Sequence, residues 1–207
     1  MQKEKSELSE AFDATLEGWV RVMDKRCHGA EGHTQRVTQM TLRLCRVLSL
    51  AEHELPHIRR GTLLHDIDHL AIPDAILLKP GQLTKEEWEI MCKHPVFAYA
   101  MLAPIFYLRP ALAIPYCHHE RWDGTGYPRG LKGEGIPRVA RIFSVVDSWD
   151  ALRSDRPYRK GWSNEAVLTT SSLIPGCISI LRWPRSSWIC GRPETRTTLM
   201  PTFEFGA

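Results

Sequence analysis

The chain has 207 residues, 43% hydrophobic and 25% charged, enough for one domain with a substantial core and ordinary for a soluble globular protein. Its formal net charge of +3 is too weak to argue for duplex nucleic acid but suits an anionic small ligand. Six cysteines form no C-x-x-C pair, which reads as reduced thiols and predicts a cytoplasmic setting. No apolar run approaches a membrane span, and the start shows no signal core.

In chain order, Leu8, Phe12, Leu16, Trp19, Val20 and Met23 fall at helical spacing, predicting an amphipathic helix over 8–23. The pattern repeats over 33–48 with Val37, Met40, Leu44, Cys45 and Leu48. A third helix is expected from about Glu52 to Asp66. Thr84-Lys85-Glu86-Glu87 fits a capping box and starts a fourth helix leading towards His94. Leu108 to His119 reads as helix, bent or interrupted by Pro110 and Pro115. Asp123-Gly124-Thr125-Gly126-Tyr127-Pro128 is a loop. Helical spacing returns from Val139 to Leu152, and Ser163 is an N-cap for a last short helix over Asn164 to Leu168. No strand pattern and no internal repeat is evident. The fold class is all-α, a helical bundle. From about Ser171 the period is lost among Pro175, Pro184, Pro193 and Pro201, so the expected division is a domain over 1–170 and an irregular tail over 171–207. That tail reads either as irregular structure or as a non-native ending left by loss of the reading frame.

The chemistry lies in scattered histidines and aspartates: His33, His65, Asp66, His94, His118, His119 and Asp147. Imidazoles and carboxylates without cysteine suit iron, manganese or zinc. An Asp with two oxygens can touch both ions of a pair about 3.5–4 Å apart. Asp147 stands on an apolar helix face, where a carboxylate needs a partner. Any one of these histidines alone would read as a hydrogen-bonded core or surface residue. His28, His53 and His57 sit on polar stretches and read as solvated.

Three words are more specific: His65-Asp66-Ile67, then Ile72-Pro73-Asp74 with Lys79-Pro80-Gly81-Gln82-Leu83-Thr84, then His118-His119-Glu120-Arg121-Trp122-Asp123-Gly124-Thr125-Gly126-Tyr127-Pro128. Together they resemble the HD-GYP family, bacterial phosphodiesterases of the HD superfamily that hydrolyse cyclic di-GMP, over roughly residues 8–168. The resemblance implies an HD-type helical bundle with a centre of iron or manganese ions. It implies hydrolysis to pGpG or GMP by a hydroxide activated between two metals. His33, His65, Asp66, His94, His118, His119 and Asp147 become metal ligands, with Asp66 bridging and catalytic. Tyr127 would contact guanine. Arg156 and Arg159 match the family's basic positions near phosphate and base; read alone they are equally a solvated charged turn. Signalling proteins are the partner class implied, a homodimer is compatible, and no membrane span is expected. Family members often carry an N-terminal sensor or receiver domain, and none is legible here.

Three departures from the family pattern stand out. Where Gly-Lys usually follows His-Asp-Ile, this chain has Asp68-His69. His69 can donate a proton or hydrogen bond to phosphate, or join the metals, and Asp68 is expected to repel an anionic substrate. The glutamate that accompanies a third metal is replaced by Gly29, so two ions are expected. The tail from Ser171 does not match the family's closing helical segment. Two other readings stay open: a degenerate domain that binds a cyclic dinucleotide or a protein partner without hydrolysis, and a phosphohydrolase of another nucleotide or phosphoester.

Overall fold

A computed structural model describes residues 2–26, 32–155 and 160–167. These form α-helices joined by short 3-10 turns, with no strand among the described residues. Arg156, Arg159, Gly29, Leu168 and the expected tail over 171–207 lie outside them.

The N-terminal helix α1 runs over Gln2–Arg26 and α2 over His33–Val47. Thr34 at the start of α2 donates from Oγ1 to Asp24 Oδ1 at 2.7 Å, tying the two helices where the chain turns. The expected third helix is split. A 3-10 turn at Glu52–Glu54 leads into α3 over Leu55–Leu63. This helix stops before His65 rather than after it, and a second 3-10 turn covers Ile67–Ala71. Gly61 on α3 faces the chain at Ala111, where a Cβ would stand 2.6 Å from the carbonyl oxygen. Only glycine permits that approach.

A single helical turn, α4 at Asp74–Leu77, precedes α5 over Lys85–Met91. The expected capping box is present: Glu87 N donates to Thr84 Oγ1 at 3.3 Å, and Thr84 N donates to Glu87 Oε2 at 2.7 Å. The chain breaks at Cys92 and Lys93, and α6 starts afresh at His94–Leu102 with Pro95 in its first turn, where proline costs no hydrogen bond. The stretch read as helix from Leu108 to His119, bent or interrupted by Pro110 and Pro115, is a 3-10 segment, Phe106–Ala111, followed by the short α7 at Ala113–Cys117. Pro110 lies inside the first part and Pro115 inside α7, so each proline sits within its element rather than at its end. After the loop of the third motif and a 3-10 turn at Gly133–Gly135, α8 spans Arg138–Arg153. Residues 164–167 are helical, and Ser163 Oγ accepts from Ala166 N at 3.1 Å, as expected of an N-cap.

Helix α2 packs between α3 and α8. Val37, Ile58, Ile114, Ile142 and Phe143 fill that junction. A second apolar group, with Leu16, Leu64, Ala98 and Leu108, fastens α1 over the other side of α3. Each fully buried aliphatic or aromatic side chain contributes about 1.5–3 kcal/mol. A buried polar clasp strengthens the α1–α3 contact. Arg60 donates to Asp13 at 2.6 and 3.1 Å and to the Tyr107 hydroxyl at 2.6 Å, with its guanidinium over the Tyr107 ring. Arg59 pairs with Glu17 beside it. His57, read from sequence as solvated, is half-buried against Arg60. Cys45, Cys92 and Cys117 are free thiols, and no described helix is long and apolar enough to cross a membrane.

Candidate metal centre

The scattered His and Asp residues meet at helix ends. His33 opens α2, and His65 and Asp66 follow the end of α3. His94 opens α6, His118 and His119 follow α7, and Asp147 lies on α8. Two groups form. His33, His65 and Asp147 offer donor atoms within 4.8 Å of one another, and so do His94, His118 and His119. Asp66 stands between them. Its Oδ2 is 3.0 Å from His65 Nε2, and its Oδ1 is 3.7 Å from His118 Nε2. Each oxygen therefore addresses a different group. The Asp66 side chain keeps 36% of its surface exposed, so this carboxylate is reachable from solvent.

The rings are aimed by the helix ends that carry them. His65 Nδ1 lies 2.8 Å from the Thr62 carbonyl, and His118 Nδ1 lies 3.1 and 3.2 Å from the carbonyls of Ile114 and Pro115. A carbonyl only accepts, so each Nδ1 carries a proton and each Nε2 is turned toward Asp66. Those two Nε2 atoms, and both nitrogens of His94, are buried without a hydrogen-bond partner among the described residues. His65 Nε2 and His118 Nε2 face the Asp66 carboxylate at 3.0 and 3.7 Å, and buried nitrogens so poorly satisfied are costly unless something binds them. A divalent cation fits: the donors are imidazole and carboxylate, with no thiolate among the grouped residues.

Charge follows the same division. Burial, with His118 as the next cause, pushes His94 down to about 2, and burial with His118 and His94 holds His119 well below its ordinary value. Both are neutral imidazoles, the form a metal binds. Burial opposes ionisation of Asp66, but His65, His69 and His118 outweigh it and keep the carboxyl well below its usual range. At His33 burial is again opposed, here by Asp147 and Asp150, and the ring rises to about 10. A cation between His33 Nε2 and Asp147 Oδ1, which are 3.4 Å apart, would take the place of that proton.

Asp150 was not singled out by sequence reasoning beyond its place in the helical pattern. It accepts from His33 Nδ1 at 2.7 Å and from Arg36 Nε and Nη2 at 2.8 and 2.9 Å. It therefore orients His33 as the carbonyls orient His65 and His118. Its position three residues after Asp147, on the same helix face, was the available signal.

Asp68 departs from the sequence expectation. It is fully buried, with neither carboxylate oxygen hydrogen-bonded among the described residues. Burial, then the charge of Asp66, push it up to about 9, against partial relief from the backbone amides at 68 and 69. The full burial of this acid was not legible in the sequence. His69 does face the centre, with Nε2 at 3.7 Å from Asp66 Oδ1.

Tyr127 stacks on His119 with ring centroids 4.8 Å apart and lies 6.2 Å from Trp88. Its loop is held closely. Glu120 accepts from Arg129 N and Leu131 N, both at 2.8 Å, and Asp123 accepts from Thr125 N at 2.9 Å. At Gly126 a Cβ would stand 2.3 Å from Arg121 N and 2.5 Å from His119 O. Ser144 on α8 donates to His118 O at 2.7 Å, bracing the turn from behind.

Comparison with known proteins agrees with this layout. A model of the HD domain family matches residues 20–170. The chain is 39% identical over 200 residues to the cyclic di-GMP phosphodiesterase response regulator RpfG of Xanthomonas campestris, covering 92% of this chain and 53% of that protein. That match therefore runs past residue 170. It is 45% identical over 131 residues to a cyclic di-GMP phosphodiesterase of Thermotoga maritima, covering 61% of this chain and 35% of that protein. It is 36% identical over 163 residues to 3'3'-cGAMP-specific phosphodiesterase 2 of Vibrio cholerae, covering 78% and 31%. The chain thus spans about half the length of these relatives or less.

Proposed function

This chain belongs to the HD domain family and carries the motifs of its HD-GYP branch, and we propose that it is a metal-dependent phosphodiesterase that hydrolyses cyclic di-GMP to pGpG or GMP. The observation that carries this reading is Asp66. Its two oxygens lie toward two separate groups of buried imidazoles. That arrangement suits a pair of cations sharing one carboxylate.

In this reading His33, His65 and Asp147 would hold one ion and His94, His118 and His119 the other, with Asp66 offering an oxygen to each side. Iron or manganese suits the nitrogen and oxygen donors. Bound ions would supply a water of lowered pKa and neutralise the phosphate. The chain's own residues do the rest. The Thr62, Ile114 and Pro115 carbonyls and Asp150 lock ring orientation, so that little reorganisation is needed as charge develops. Tyr127 offers an aromatic face beside the donors, suited to guanine. Arg156 and Arg159 are proposed for phosphate and base, a role that suits a guanidinium fork.

The name of the Vibrio cholerae relative keeps a second substrate in view, 3'3'-cGAMP. Both substrates are cyclic dinucleotides with the same phosphodiester linkage chemistry. The test is to load the purified chain anaerobically with iron or with manganese and separate the products of each dinucleotide by chromatography. Linear product from cyclic di-GMP supports the proposal. Faster cleavage of 3'3'-cGAMP moves the specificity. Binding without product selects a degenerate binding domain, and neither binding nor product refutes a cyclic-dinucleotide function.

A further inference from the structure

We propose that His69 is itself a metal ligand, adding a direct donor to the ion on the His94 side of Asp66; this rests on the metal-centre reading above. The position carries lysine in the family that the motifs resemble. A lysine ammonium has three donors and no lone pair and repels a cation, whereas a neutral imidazole offers a lone pair.

The backbone places the ring correctly. His69 lies in the 3-10 turn Ile67–Ala71, with Asp66 as its leading residue, and His69 N donates to Asp66 O at 3.1 Å. In a 3-10 turn, side chains three residues apart eclipse one another, so Asp66 and His69 project to the same side. His69 Nε2 is 3.7 Å from Asp66 Oδ1. The His69 ring stands perpendicular to His94 with centroids 5.3 Å apart. Donor atoms of Asp66, His69 and His94 all lie within 4.8 Å of one another. His94 is 2% exposed, with both nitrogens unpartnered among the described residues, so the acceptor side of this group is built and buried. Asp68, the residue before it in the turn, is fully buried, whereas His69 Nε2 faces Asp66 Oδ1.

The test compares the wild-type chain with His69→Ala and His69→Lys, using cobalt(II) as probe. Affinity is read by chelator competition, and coordination by the visible absorption of the bound ion. Loss of an outer-sphere partner alone weakens metal binding about 10–100-fold, and a direct ligand should cost no less. The expected result is at least a tenfold loss at one ion in both variants, with a changed cobalt spectrum. Added imidazole should partly restore the spectrum of His69→Ala. His69→Lys, which installs the family's usual side chain, keeps the test open should the alanine variant fold poorly. Equal affinity and an identical spectrum across all three proteins would overturn the His69 assignment while leaving the dinuclear reading intact. A wild-type chain that takes up no cobalt would overturn both.

Discussion

Asp150 provides the sharpest test of how the centre is held. Replacing it with Asn keeps the size but removes the charge and one acceptor, so an amide N–H must face either His33 or Arg36. Three charge-assisted hydrogen bonds converge on this carboxylate, and bonds of that kind contribute about 1.5–3 kcal/mol each when well buried. The Arg36 side chain is 42% exposed, so water screens most of its share. The His33 bond, between side chains 21% and 7% exposed, carries the larger part. The expected stability loss is about 2–3 kcal/mol by urea denaturation. A second effect is separable from it: with His33 free to turn, metal affinity should drop about 10–100-fold by chelator competition. Asp150→Glu, which keeps the charge, should recover part of the affinity. An Asp150→Asn protein that is destabilised yet binds metal as tightly as wild type would refute the orienting role, leaving Asp150 as a structural anion only.

The remaining predictions address the clasp, the loop and the ions. Asp13→Ala should leave the Arg60 guanidinium, whose side chain is 5% exposed, without its carboxylate, and cost about 3–5 kcal/mol in urea denaturation; Asp13→Ala with Arg60→Met should regain most of that loss, and equal instability of the two would sink the account. Gly126→Ala forces the loop off the His119 carbonyl, and a shift of about 1 Å near a reacting centre can cost on the order of 100-fold in turnover; the measurement is cyclic di-GMP hydrolysis with the helical circular-dichroism signal as control, and unchanged turnover would refute the constraint. Chelation should lower the melting temperature, because free metal at 100 times Kd adds about 2.7 kcal/mol per site; coincident melts with and without chelator would contradict a built centre.

Much of the bundle was legible because α2 and α8 bury one stripe each and so keep a clean helical period. Helix α6 was not: His-Pro-Val-Phe-Ala-Tyr-Ala-Met-Leu is apolar almost throughout, so no face stands out and the reading stopped at His94. The segment around Pro110 was correctly expected to break, but nothing local shows that the chain before it takes 3-10 geometry. The histidines and aspartates of the centre were legible through the three motif words and the family they resemble, with only Asp147 standing out against an apolar helix face, and the structure brings them together. Asp150 escaped because a carboxylate on a helix is ordinary until its partners, 114 and 117 positions away, are known. The burial of Asp68 escaped for the same reason: a charge written in the sequence says nothing of the dielectric around it.

The histidines at 65 and 118 use carbonyls of the last turns of α3 and α7, where a helix runs out of amides to satisfy its acceptors; Ile114 O also accepts from His118 N at 3.0 Å. Helix termination and ring orientation therefore depend on the same atoms. Adding or deleting one residue in either helix would swing the following ring by about 100° and strand the carbonyl that steers it. Outward-facing side chains and loop lengths carry no such constraint, whereas the lengths of these two short helices set where both rings point.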